Sequence, residues 1–292
     1  FERLNGIYDF KEPIGIGGSG IVLKIIDKEL QVPRALKFPR PKTNELIESI
    51  KNEIDYLKIL KHDNIINLYA LGDIEIKDKE KIPFFVMDYI DGAIDLKKEL
   101  INKLSDSEKN YSLEIITKWL TDKIYNIASA LSYWHQNDII HFDIKPSNIL
   151  LNKSGKALLS DLGLAKKKCK SDKEATIGFT IFYAHPDLKE QYTHMSSKNF
   201  VRKLEKPDNF KYEWDIYAFG KTILELLSII NTFYPDTVMY DYTFNYLHLL
   251  SCRMLDGRNL SDDELNRINQ EIKIKDEYEI FSENWGDLRN NE

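Results

Sequence analysis

The sequence predicts an α+β fold in two lobes: a five-stranded antiparallel sheet carrying one helix, then a larger and mainly helical half. Three observations lead there. Residues 1 to 91 hold short apolar runs of strand length, broken by glycine and turn residues, with a single stretch of three-and-four periodicity among them. Residues after 92 hold two apolar stripes at helical spacing, Leu113 to Trp134 and Lys221 to Ile230. Between these stripes, Ile139 to Gly163 has two short strand-like runs, which would carry acid-bearing polar loops to one edge of a small sheet. Residues 1–90 are expected to form the smaller lobe and 91–292 the larger, within one domain overall.

Taken in order, Tyr8 to Val22 reads YDFKEPIGIGGSGIV, with Gly15, Gly17, Gly18 and Gly20 between apolar segments. Glycine permits a tight turn and lets backbone N–H groups approach phosphate oxygens with no Cβ in the way. No helix start follows the last glycine, which disfavours the dinucleotide-binding version of this pattern, and Ile21 to Ile26 reads as a second strand. Ala35-Leu36-Lys37 lies in a third short apolar run. Thr43 to Leu60 repeats Ile47, Ile50, Ile54 and Leu57 at three and four, an amphipathic helix with Glu53 beside its stripe and Glu48 and Asp55 toward solvent. Ile65 to Ile76 and Ile82 to Met87 supply two more strands.

In the second half Leu113, Ile116, Leu120, Ile124, Ile127, Leu131 and Trp134 mark a long helix buried along one side. It leads into IIHFDIKPSNILLNKSGKALLSDLG. Asp143 and Asn148 lie there in a polar loop broken by Pro146, and Asp161 follows the strand Ala157 to Leu159. These three groups could act on a phosphoryl group bound with magnesium. A 27-residue segment then runs from Asp161 to Asp187, a length usually functional in a compact domain. WDIYAFG, from Trp214 to Gly220, opens a buried helix.

HFDIKPSN, with DLG beginning eighteen residues after Asp143, resembles the catalytic and magnesium loops of eukaryotic-type protein kinases, whose patterns read HRDLKxxN and DFG. The resemblance extends from about Tyr8 to Arg258 and implies a bilobal kinase fold with ATP and Mg2+, or Mn2+, as cofactors. It implies that Gly15, Gly17, Gly18, Ser19, Gly20 and Val22 cover the nucleotide, with Ala35 beside it. Lys37 would contact the α and β phosphates, held by Glu53. Met87 falls at the gatekeeper position, with Asp88, Tyr89 and Ile90 in an interlobe hinge whose backbone would bind adenine. Asp161 and Asn148 would hold the metal. Asp143 would act as the base, with Lys145 near the γ-phosphate and Thr180 linking the two. Lysine at position 145 is typical of serine/threonine kinases, so serine or threonine is the expected acceptor.

The departures from the family pattern carry information of their own. YAHPD stands where kinases read YxAPE, so Asp187 replaces a glutamate, and Arg258 is its expected ion-pair partner. His185 replaces an alanine and reads as a packing histidine. Asp215 is expected to brace the catalytic loop backbone. The 27 residues between Asp187 and Asp215 exceed the usual spacing, which implies an insertion near Ser196 to Tyr212, a place for a regulatory partner. The 42 between Asp215 and Arg258 are fewer than usual, so substrate docking is not inherited from the family. Phe142 stands where an arginine normally pairs with activation-segment phosphate, making this a non-RD sequence whose activity is expected not to need that phosphate.

At 292 residues, with 42% hydrophobic and 12% aromatic content, the chain can bury a sizeable core. Forty-seven acids against 41 bases leave a net charge of −6, no global field for nucleic acid or an anionic membrane. No apolar run approaches eighteen residues, so no membrane span is expected. Cys169 and Cys252 form no metal or redox spacing, which points to a reducing, cytoplasmic compartment. From the start at Phe1-Glu2-Arg3, without methionine, the chain is expected to be a domain cut from a longer protein. Richness in Ile, Lys and Asn suits an AT-rich genome, a protist or a bacterium delivering kinases into host cytosol. Rival readings are a pseudokinase scaffold, disfavoured because Lys37, Asp143, Asn148 and Asp161 are all present, and a small-molecule kinase, disfavoured by Lys145-Pro146 and the WDIYAFG segment.

Overall fold

The computed structural model describes residues 2–16, 20–40, 44–75, 81–168, 175–192, 201–204, 210–238 and 241–256. After a short helix α1 (Glu2–Asn5), the strands β1 (Tyr8–Ile16), β2 (Ile21–Asp27) and β3 (Val32–Phe38) form a meander. Helix α2 (Asn44–Ile59) intervenes before β4 (Leu68–Glu75) and β5 (Lys81–Asp88), giving an antiparallel sheet in the order β1-β2-β3-β5-β4. One face packs on itself through Tyr8, Ile25, Leu36, Ile74, Phe84 and Val86.

Helix α2 forms where the three-and-four stripe predicts it, and it buries Ile50, Ile54 and Leu57. Each such side chain taken from water is worth roughly 1.5–3 kcal/mol. These residues and Phe85 belong to the same core as the second half, so apolar packing runs continuously from α2 into the larger lobe.

That lobe begins with β6 (Ile94–Asp95), α3 (Leu96–Ser105) and α4 (Leu113–Gln136). Ser112 caps α4, accepting from the Ile115 N–H at 3.4 Å, and the expected stripe from Ile116 to Trp134 is buried. β7 (Ile139–Ile140) pairs with β10 (Lys166–Lys167), while β8 (Ile149–Leu151) lies between β6 and β9 (Ala157–Leu159). The β8–β9 hairpin thus places the Asp143–Asn148 loop before it and the Asp161 loop after it at one edge, as its two short runs predict.

Neither strand of one further pair was anticipated. β11 (Ala175–Gly178), in the segment before Thr180, pairs antiparallel with β12 (Val201–Leu204), from the expected insertion, with Ala175 opposite Leu204 and Gly178 opposite Val201. β12 reads VRKL, too short and too charged to announce a strand. Helices α5 (Pro186–Tyr192), α6 (Glu213–Phe233) and α7 (Tyr242–Asp256) complete the described elements. Among the described residues α6 alone has the length and hydropathy to cross a bilayer, and it lies in the core, burying Phe219, Ile223, Leu226, Leu227 and Ile230.

Candidate active site

The smaller lobe contributes Lys37 from β3, held in register opposite Val22 on one side and Phe85 on the other. Its Nζ lies 3.0 and 2.7 Å from the two carboxylate oxygens of Glu53, on α2, and 3.0 Å from Oδ1 of Asp161. Lys37 and Glu53 are buried. Burial opposes the Lys37 ammonium, but the carboxylates of Asp161 and Glu53 outweigh it and raise its pKa. Burial likewise raises Glu53 against the pull of Lys37, whereas for Asp161 the effect of burial is overcome by Lys37 and its carboxyl sits below the usual range. Two carboxylates share one ammonium, so the cluster carries an uncompensated negative charge suited to a cation.

Around Asp161 the loop is tied to α2. The Leu162 N–H donates to Glu53 Oε1 at 3.4 Å, and Ser49 Oγ donates to the Gly163 carbonyl at 2.8 Å. Asp161 itself has φ 63°, a left-handed conformation costing roughly 1–2 kcal/mol for a side-chain-bearing residue.

Asp143 is the centre of a second cluster. Its Oδ1 accepts from Thr180 Oγ1 at 2.5 Å; its Oδ2 accepts from Lys145 Nζ at 2.7 Å and Asn148 Nδ2 at 2.9 Å. Lys145 also reaches Thr180 Oγ1 at 2.9 Å, closing a triangle. Asn148 spends its amide nitrogen on Asp143, including the backbone carbonyl at 2.8 Å, which turns its amide oxygen away from that residue. Asp161 and Asn148 therefore offer the hard oxygens that magnesium prefers, and the donor set fits that ion.

Beneath this loop lies Asp215, fully buried in the first turn of α6. With Phe142 left-handed at φ 65°, the consecutive amides of His141 and Phe142 converge on its carboxylate at 2.8 and 2.9 Å, and His135 Nε2 lies 3.0 Å from it.

Of the residues expected to cover a nucleotide, Gly17, Gly18 and Ser19 lie outside the described residues. Gly15 belongs to β1 rather than to a turn, paired with Val22. Gly20 has φ 147°, and a Cβ there would stand 2.4 Å from the Phe38 carbonyl oxygen, so only glycine fits. Ala35 is buried opposite Met87. At the expected hinge, Asp88 commits its N–H to the Asn67 carbonyl and its carboxylate to Asn67 and Tyr69. The Ile90 carbonyl accepts from Ala93.

Asp187 pairs with Lys211 at 3.1 Å and with its neighbour His185 at 3.4 Å; Arg258, its expected partner, lies outside the described residues. The His185 ring packs edge-on against Tyr217 at 5.0 Å, a packing histidine as expected. Sequence reasoning missed Phe210, Lys211 and Tyr212, although aromatics at 210, 212 and 214 form a visible alternation. It also missed Glu225, which accepts from Tyr183 and from Lys97 at 2.6 Å.

Comparisons with known proteins agree with this geometry. The family model described as "Protein kinase domain" matches residues 8–276. The chain is 32% identical over 231 residues to "Serine/threonine-protein kinase PrkC" of Bacillus subtilis, covering 78% of this chain and 31% of that protein. It is 33% identical over 266 residues to "Calcium-dependent protein kinase 3" of Plasmodium berghei, covering 90% and 41%. It is 30% identical over 227 residues to "Rust resistance kinase Lr10" of Triticum aestivum, covering 75% and 31%. The chain thus spans less than half the length of these relatives. With an antiparallel five-stranded sheet, a helical second lobe and a family match over nearly its whole length, the chain belongs to the protein kinase domain family.

Proposed function

We propose that this domain transfers the γ-phosphoryl group of ATP to serine or threonine hydroxyls of protein substrates. The observation that carries the reading is the meeting of Lys37, Glu53 and Asp161 across more than a hundred residues of sequence, beside the Asp143 cluster. The named serine/threonine kinases among its relatives, and Lys145 at its place in the loop, favour those acceptors.

Each residue then has a task. Lys37, held by Glu53, presents its ammonium to the α and β phosphates. Asp161 and Asn148 would hold magnesium through oxygen. The metal, when bound, neutralises phosphate charge in a loose transition state. A carboxylate has about four acceptor positions, and Asp143 has filled three, with Thr180, Lys145 and Asn148. The position left is on Oδ1, where an acceptor hydroxyl can be oriented and surrender its proton. Lys145 remains poised to meet the charge of the transferred group.

Phe142 in the arginine position favours activity without activation-segment phosphate. Phosphate-free enzyme is expected to match untreated enzyme, as are Ser171→Ala and Thr176→Ala; full dependence on phosphate at either position would refute this. The primary test is phosphate transfer from ATP and magnesium to a peptide library, wild type against Asp161→Ala. Transfer to serine or threonine peptides by wild type alone is expected. Nucleotide binding without transfer by wild type would reassign the domain as a pseudokinase.

A further inference from the structure

We infer that Phe210, with the short segment to Trp214, is an intramolecular clamp that positions the activation segment against the catalytic loop, doing by apolar packing what a phosphate and an arginine would otherwise do. The inference rests on the kinase reading and adds to it the residues that set the loop.

Phe142 directly precedes Asp143, and Phe179 directly precedes Thr180; the two polar side chains meet at 2.5 Å. Their apolar neighbours fall in one buried cluster with Ile140, Ala184, Leu188, Phe210 and Trp214. Phe210 is 1% exposed, and its ring stands edge-on to Phe142 at 5.3 Å and 6.2 Å from Trp214, which itself lies 5.8 Å from Phe142. An aromatic cluster of this kind gains both from burial and from edge-to-face geometry.

The residues after Phe210 fasten the same region at three further points. Lys211 pairs with Asp187, the last residue of the activation segment, at 3.1 Å. Tyr212 donates to Asp138 at 2.7 Å and lays its ring on His135 at 4.8 Å. Trp214 delivers the next residue, Asp215, to the amides of His141 and Phe142. Upstream, the β11–β12 ladder zips the activation-segment backbone to the same stretch of chain. Phe210 is thus a positioning residue: its ring packs on Phe142, which precedes Asp143, in the cluster that also holds Phe179, which precedes Thr180.

The test uses the whole 292-residue chain, shown free of phosphate by mass spectrometry. In Phe210→Ala, kcat for peptide phosphorylation is expected to fall at least tenfold with KM for ATP within twofold. Phe210→Leu is expected to recover most of the loss. Hydrogen exchange gives a readout independent of catalysis: amides of 175–178 are expected to exchange slowly in the wild type and at least tenfold faster in Phe210→Ala, with α4 amides unchanged. Exchange rising equally over α4, or kcat within twofold of wild type, would overturn the clamp, as would 175–178 amides that are protected only in phosphorylated enzyme. If wild type transfers no phosphate the kinase reading fails, and the exchange result still decides the clamp.

Discussion

Lys37 shares its ammonium between two carboxylates in a buried setting, so its loss leaves charge without a partner. Removing one member of a buried ion pair costs about 3–5 kcal/mol. Lys37→Met should lose stability on that scale in urea titration, and Glu53→Gln added to it should restore a substantial part; simple additivity of the two losses would deny the pairing. At the other cluster Thr180 gives Asp143 its shortest bond. A hydrogen bond to a charged group is worth roughly 1.5–3 kcal/mol, so Thr180→Ala should lower kcat about ten- to a hundredfold, with Thr180→Ser close to wild type. Steady-state kinetics on both variants checks this. Asp215 offers a sharper case, since its carboxylate accepts two backbone N–H bonds. Asp215→Asn preserves shape but sets an NH2 among donors, and transfer should collapse while nucleotide titration changes little.

Helices α6 and α7 approach closely at Gly220, where an added Cβ would stand 2.8 Å from Met254 Cβ and 3.0 Å from the Ser251 carbonyl oxygen. Neither is the far end of a flexible side chain, so Gly220→Ala must push the helices apart. Overpacking of this sort costs about 1–3 kcal/mol, against the small gain alanine normally brings to a helix. Thermal melting of the variant should show a clear drop, and a rise would mean the contact yields freely. The elements legible in sequence were those with long periodicity: α2, α4 and α6 each repeat apolar residues for several turns. The loops of Asp143 and Asp161 were legible through the resemblance of HFDIKPSN and DLG to kinase motifs. What stayed hidden depends on contacts distant in sequence: the β11–β12 pairing, the Asp187–Lys211 pair, and the left-handed backbone of Phe142 and Asp161. None leaves a periodic signature. Only the alternating aromatics at 210, 212 and 214 hinted at the clamp.

Across the molecule, the two lobes are joined at the candidate site by polar links that cluster between Asp161 and Lys167. Lys37 reaches Asp161, Ser49 reaches Gly163, and the Lys167 N–H donates to Tyr56 at 2.9 Å. Ligand held by both lobes should therefore stabilise the fold by mass action, by about 2.7 kcal/mol at a hundredfold excess over Kd. ATP with magnesium should raise Tm more than ATP with EDTA. In Asp161→Asn that metal-dependent increment should vanish while the ATP-only shift persists; an undiminished increment would place the metal elsewhere.

The packing of Phe142 on Phe210 and Trp214 has a consequence for how the enzyme responds to its surroundings. An ionic latch loosens as electrolyte accumulates, because screening shortens the reach of charge. One made of aromatic rings is indifferent to that, yet slackens in the cold, as the drive to withdraw apolar surface from water fades. A domain fastened in this way would tolerate brine better than chill.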